Sequence, residues 1–166
     1  RRAAVVSVLG RVGRESAVES VLPLLRDDDA TLRLEALHAA GRIARNVTTA
    51  AARRRAQQQA SPVEVDDDAT PSFRDSPAPG AASDTSPDAD DAWPPLRARL
   101  RLALSRAALG GGTANEKRAA LWALAQLDDA AAFAFLRRRA ADATDSDIRR
   151  FAASYLEQPR QSLVLR

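Results

Sequence analysis

Few residues in this sequence are of a type that could do chemistry, and those few are poorly spaced for it. His38 is the only histidine, and there is no cysteine. A zinc site gathers imidazole, thiolate and carboxylate ligands, and His38 has no second histidine to join it. The serines are plentiful, but none is paired with a histidine base as nucleophilic catalysis requires. The acidic runs Asp27–Asp29 and Asp66–Asp68 offer hard oxygen ligands. The first reads as a capped turn, and the second lacks the alternating ligands and turn glycine of a calcium loop. Gly110–Gly112 has no Lys-Ser or Lys-Thr after it, so it reads as a helix stop and not as a phosphate cradle. These residues predict no catalytic group, no metal ligand and no cofactor.

What remains is charge. Residues 1–59 carry 11 basic and 6 acidic side chains, residues 60–92 carry 1 and 9, and residues 93–166 carry 13 and 7. Two basic parts thus flank a strongly acidic one. The triplets Arg53–Arg55 and Arg137–Arg139 could grip phosphates. Without interleaved aromatics they read as solvated helix faces.

The elements that position these charges are helices. In Ser16–Ala44, Ser16 is a suitable N-cap, and Ala17, Val18, Val21, Leu22 and Leu25 recur with helical spacing. Pro23 should kink that helix without ending it, because the apolar pattern continues beyond it. Asp29 is expected to cap a second helix, whose apolar face carries Leu32, Ala36, Leu37, Ala39, Ala40 and Ile43. Helical character extends through residues 48–59 as an exposed extension. Residues 1–13 read as a further second helix. Past Trp93-Pro94-Pro95, with the prolines in a first turn, Leu96, Leu100, Leu104 and Ala108 form another stripe. Thr113 or Asn115 is the cap expected of the next helix, Asp129 starts the fourth unit, and Asp145 caps that unit's second helix. Residues 60–92 are rich in Pro, Ser, Asp and Ala and cannot bury enough apolar surface to offset their ordering entropy, so they read as a disordered acidic insertion.

A repeat becomes visible when Arg33 is taken as an anchor. Arg2 lies 31 residues before it, Lys117 lies 84 after it and Arg149 a further 32 on. Each cation is followed by small and apolar residues in a similar order. Intervals in the thirties, with one helical hairpin each, mark a solenoid. LPLLRDDDATLRLEALHAAGRIA, through Asp27, Arg33, Ala36, Gly41 and Ile43, resembles the short, lyase-type variant of the HEAT repeat. The resemblance covers most of the chain outside the insertion and implies an all-α solenoid of stacked antiparallel hairpins, cut from a longer one. The units would be residues 1–59, with a truncated first unit and a complete second, and residues 93–166, with a third and a fourth. Arg33, Lys117 and Arg149 would pair with turn carboxylates and build the repeat.

Positions 1, 5, 8, 9 and 12 past each anchor share one strip of the second helices. Across the units this strip collects Arg11, Arg14, Leu34, His38, Arg42, Arg45, Arg118, Trp122, Gln126 and Arg150. In HEAT proteins the second helices line the concave surface, so the resemblance implies that the strip faces a groove. Arginine around a tryptophan is the composition of an interaction hot spot. The expected function is a non-catalytic protein-interaction scaffold that takes an acidic or amphipathic partner segment. The alternatives are a nucleic-acid-binding HEAT-like module and a HEAT-like lyase or enzyme subunit. No apolar run approaches the ~20 residues of a membrane span. With no secretory signal in view, the expected compartment is the cytoplasm.

Overall fold

The structure is a computed structural model that describes residues 2–12, 14–60, 89–141 and 144–157. Among the described residues it is all-helical, with seven α-helices and one short 3-10 turn. The helices are α1 (Arg2–Val12), α2 (Ser16–Val21), α3 (Ala30–Ala60), α4 (Ala89–Leu109), α5 (Ala114–Gln126), α6 (Ala130–Ala141) and α7 (Ser146–Glu157). Most of the acidic insertion, residues 61–88, lies outside the described residues. Its margins are helical, because Ala60 closes α3 and residues 89–92 open α4. Pro94 and Pro95 therefore sit inside α4 and not in its first turn.

Four of the helices follow one another in contact: α1 packs on α3, α3 on α5 and α5 on α7. The intervening helices α4 and α6 each pack on the helix that follows them, while α2 and the 3-10 turn Pro23–Arg26 pack on α3. Between the layers run fully buried side chains, among them Val21, Leu37, Ile43, Leu100, Leu104, Leu121, Leu124 and Leu136. Alanines 36, 39, 40, 44, 120 and 123 fill the narrow spaces between them. Small side chains let helix axes approach closely, which is why so alanine-rich a chain still closes a core.

The helix starts follow local chemistry. The Asp29 carboxylate accepts from Thr31 N at 2.8 Å, that of Asp129 from Ala131 N at 2.9 Å, and that of Asp145 from Asp147 N and Ile148 N, both at 3.1 Å. Each satisfies amide hydrogens that the first helical turn leaves without partners. Thr113 and Glu116 form a reciprocal capping box at the start of α5. Ser16 does not cap α2. The backbone is already helical at Glu15, and the Arg14 and Glu15 carbonyls take the Ala17 and Val18 amides, so the Ser16 hydroxyl has no cap to make. Pro23 does more than kink the helix: α2 stops at Val21, and residues 23–26 tighten into the 3-10 turn. A proline lacks the amide that would continue the α-helical ladder.

The anchor cations tie one layer to the next. Arg33 Nε donates to Glu116 Oε1 at 2.7 Å, while its Nη1 donates to the Asp27 and Asp28 carbonyls at 2.8 and 3.0 Å. It therefore bonds the carbonyls of its own turn and the carboxylate at the head of α5. Lys117 reaches Asp145, the cap of α7, at 3.8 Å. Arg149 was expected to behave alike, but it has no carboxylate partner among the described residues. Asp145, the described acid of its own turn, is engaged by the α7 amides and by Lys117.

Two glycines occupy the eighth place past their anchors, and both mark close approaches. A Cβ on Gly10 would lie 2.8 Å from Ala39 Cα, and one on Gly41 would lie 2.2 Å from the Trp122 ring. At Gly10 the neighbour is backbone and at Gly41 it is a side chain, so the bare position lets the following helix approach in both cases.

Candidate functional site

Leu34, His38 and Arg42 recur every fourth residue on α3 and so rise along one face of it. Asn115, Arg118, Ala119 and Trp122 face them from α5, and Tyr155 closes the far side from α7. Together these residues line an open cleft of about 570 Å³.

The cleft walls are set by the layer-to-layer bonds. The capping box fixes the first turn of α5: Glu116 N donates to Thr113 Oγ1 at 3.2 Å, and Thr113 N donates to Glu116 Oε2 at 2.6 Å. The other Glu116 oxygen receives Arg33. One carboxylate, only 4% exposed, thereby holds the start of α5 against the start of α3. Burial opposes ionisation of Glu116. The hydrogen bonds from Arg33 and from the Thr113 amide and hydroxyl, with the Arg33 charge, outweigh it and hold the carboxyl below its usual value. A smaller cleft of about 220 Å³ borders this pair, next to Arg26, Ala103 and Arg106. Glu116 and Arg33 are already committed to one another there.

The floor of the larger cleft is aromatic. The Trp122 indole lies on the bare backbone of Gly41, and the His38 ring meets its edge at 6.1 Å between centroids and 78° between planes. On the α7 side, the guanidinium of Arg118 stands 4.9 Å from the centre of the Phe151 ring and that of Arg150 stands 5.5 Å from it. Such contacts orient a guanidinium without neutralising it. Burial raises the Tyr155 phenol above its ordinary value, and the positive charge of Arg118 opposes that rise.

Five of the ten strip residues come together here: Leu34, His38, Arg42, Arg118 and Trp122. The other five do not line the cleft. Arg11 is exposed in the last turn of α1, and Arg14 is exposed in the turn after it. Arg45 lies beyond the cleft on an exposed part of α3. Gln126 is half-buried at the end of α5. Arg150 donates to Asp147 at 3.0 Å on its own helix. The cleft thus gathers the middle of the strip, from α3 and α5.

Three cleft residues lie outside the strip: Asn115, Ala119 and Tyr155. Tyr155 lies six places past Arg149, outside the positions used, and reaches the cleft because α7 packs across α5. The sequence offers Asn115 as an alternative cap; the Thr-x-x-Glu spacing of Thr113 and Glu116 is the signal that assigns the cap to Thr113 and leaves Asn115 exposed at the cleft mouth.

Among the described residues Arg42 and Arg118 have no ion-pair partner. No group of three or more Asp, Glu or His side chains converges as a metal site among the described residues. No helix among them is long and apolar enough to cross a membrane. The arrangement offers two cations, an indole face, an imidazole edge and a phenol to whatever enters. The sequence matches no known family model and no characterised protein.

Proposed function

We propose that this chain forms a HEAT-like α-solenoid that serves as a non-catalytic interaction scaffold, and that the cleft between α3, α5 and α7 takes an acidic or amphipathic segment of a partner protein. The solenoid reading is supported by the succession α1, α3, α5, α7, each in contact with the next, and by the anchor cations Arg33 and Lys117 each reaching an acid of the following layer.

The observation that carries the binding reading is the pairing of Arg42 and Arg118, both lacking carboxylate partners among the described residues, with the Trp122 face between α3 and α5. A guanidinium over apolar aromatic surface suits a carboxylate flanked by an apolar side chain. Tryptophan and arginine are also the residue types that dominate interface energetics.

The test is a nuclease-treated pull-down from native cell extract, with the wild-type chain compared against Arg118→Ala/Trp122→Ala. The expected result is a defined protein captured by the first and lost with the second. Capture of nuclease-sensitive material alone would transfer the cleft to a nucleic-acid ligand and end the scaffold assignment.

A further inference from the structure

The cleft does not end the α3 surface that borders it. Helix α3 is 31 residues long and continues past its last buried residue, Val47. Leu34, His38, Arg42, Arg45, Thr49 and Arg53 succeed one another at intervals of three or four, which keeps them on a single stripe of the helix. That stripe is about 28 Å long at 1.5 Å per residue. Its first half is the cleft wall. Its second half holds no large apolar side chain: Arg45 and Arg53 are exposed, Thr49 between them is half-buried with a short polar side chain, and only the small Ala52 and Ala56 share the stripe with them. Among the described residues the guanidinium of neither Arg45 nor Arg53 has an ion-pair or hydrogen-bond partner.

Resting on the cleft reading above, we infer that the α3 extension is the second half of the same docking surface and that its occupant is an acidic peptide segment laid along the helix. The apolar and aromatic cleft receives an anchor side chain at one end. Arg42, Arg45 and Arg53 receive a run of carboxylates leading away from that anchor. From Arg42 to Arg53 is 11 residues, or about 16 Å of helix, a span that about five residues of extended peptide match. The occupant is thus an apolar or aromatic residue next to an acidic run of about that length. Charge complementarity selects it: the cations are aligned in one row, alternate with no acid along the stripe, and lead out of a site whose floor is an indole. A polyanion that needs no apolar anchor would not use that floor.

The experiment measures binding of the whole chain to a fluorescein-labelled synthetic peptide, one leucine followed by six glutamates, by fluorescence anisotropy. Arg45→Glu/Arg53→Glu is expected to weaken binding about tenfold, the order set by reversing two exposed charges. Arg137→Glu/Arg138→Glu, an equal charge change on α6, is expected to leave affinity within about twofold. A peptide cut to two glutamates is expected to lose its sensitivity to Arg53→Glu and keep its sensitivity to Trp122→Ala. If Trp122→Ala abolishes binding while Arg45→Glu/Arg53→Glu does not alter it, the extension is no part of the surface, although the cleft stands. Should Trp122→Ala have no effect, the cleft reading itself fails. Equal loss with the α6 variant, or equal competition by a thymidine oligonucleotide of the same charge, would overturn the assignment to an acidic peptide.

Discussion

The six-membered ring of Trp122 rests on the α3 backbone at Gly41, in space that a Cβ would have to share: the ring's Cζ3, Cε3 and Cη2 would all lie within 3.0 Å of it. Gly41→Ala therefore displaces the indole. Trp122 is half-buried and has room to turn outward, so the stability change is expected to stay within about 1 kcal/mol, the steric cost being offset by the better helix propensity of alanine. The floor of the cleft, however, is lost. The check is fluorescence excited selectively at indole in a Trp93→Phe background, where Trp122 is the only tryptophan. Its emission should shift to the red with Gly41→Ala; unchanged emission would show that the ring does not need the bare backbone.

Gly10 poses the same problem with no such escape. Its neighbour is the Ala39 backbone, which cannot rotate away. Gly10→Ala must push α1 off α3 and is expected to cost about 1–3 kcal/mol in urea unfolding. A cost as small as that of Gly41→Ala would mean that α1 is held less closely than its packing indicates.

Arg33 and Glu116 make stability depend on pH with a definite sign. The Glu116 carboxyl is depressed in the folded chain, so the stabilisation is fully present above the unfolded value, near 4.5, and is lost as pH falls through the lower folded value. Glu116→Gln is expected to cost about 2 kcal/mol at pH 7, since it leaves the half-buried Arg33 without its carboxylate. The difference between variant and wild type should shrink once pH falls below about 4. A difference constant from pH 7 to pH 3 would contradict the assignment. Lys117→Ala should cost far less, within about 0.5 kcal/mol, because its contact with Asp145 is long and partly solvated.

The caps separate what was legible in the sequence from what was not. Asp29 and Asp145 could be read in advance, because each stands one residue ahead of a helix and the chemistry is local. Ser16 reads as an equally good cap and is not one, since the turn before it is already helical. Asp29→Ala or Asp145→Ala should each cost about 1 kcal/mol, and Ser16→Ala should stay within a few tenths. The all-helical fold was legible through the apolar spacing of each helix, such as Leu32, Ala36, Leu37, Ala40 and Ile43 on α3. The exchange of Arg33 with Glu116 was not, because it joins residues 83 apart across an insertion and depends on how α5 lies against α3. Tyr155 escaped for the same reason: its place in the cleft comes from the packing of α7, and no offset along the chain encodes it.

Asp128 joins α5 to α6 with φ of 46°, a left-handed conformation that favours glycine. Asp128→Gly should raise stability by about 0.5–1 kcal/mol, and Asp128→Ala should lower it. Melting of the two variants against wild type checks the sign of each.

The measurement closest to the central claim is photo-crosslinking from the cleft in native cell extract. A benzophenone amino acid replaces exposed Asn115 at the cleft mouth or, as a control, exposed Ala98 on α4. If the cleft is the docking surface, position 115 yields a discrete protein adduct that position 98 does not, and Arg118→Ala/Trp122→Ala removes it. Identical adducts from both positions, or an adduct at 115 that disappears with nuclease, would contradict that account.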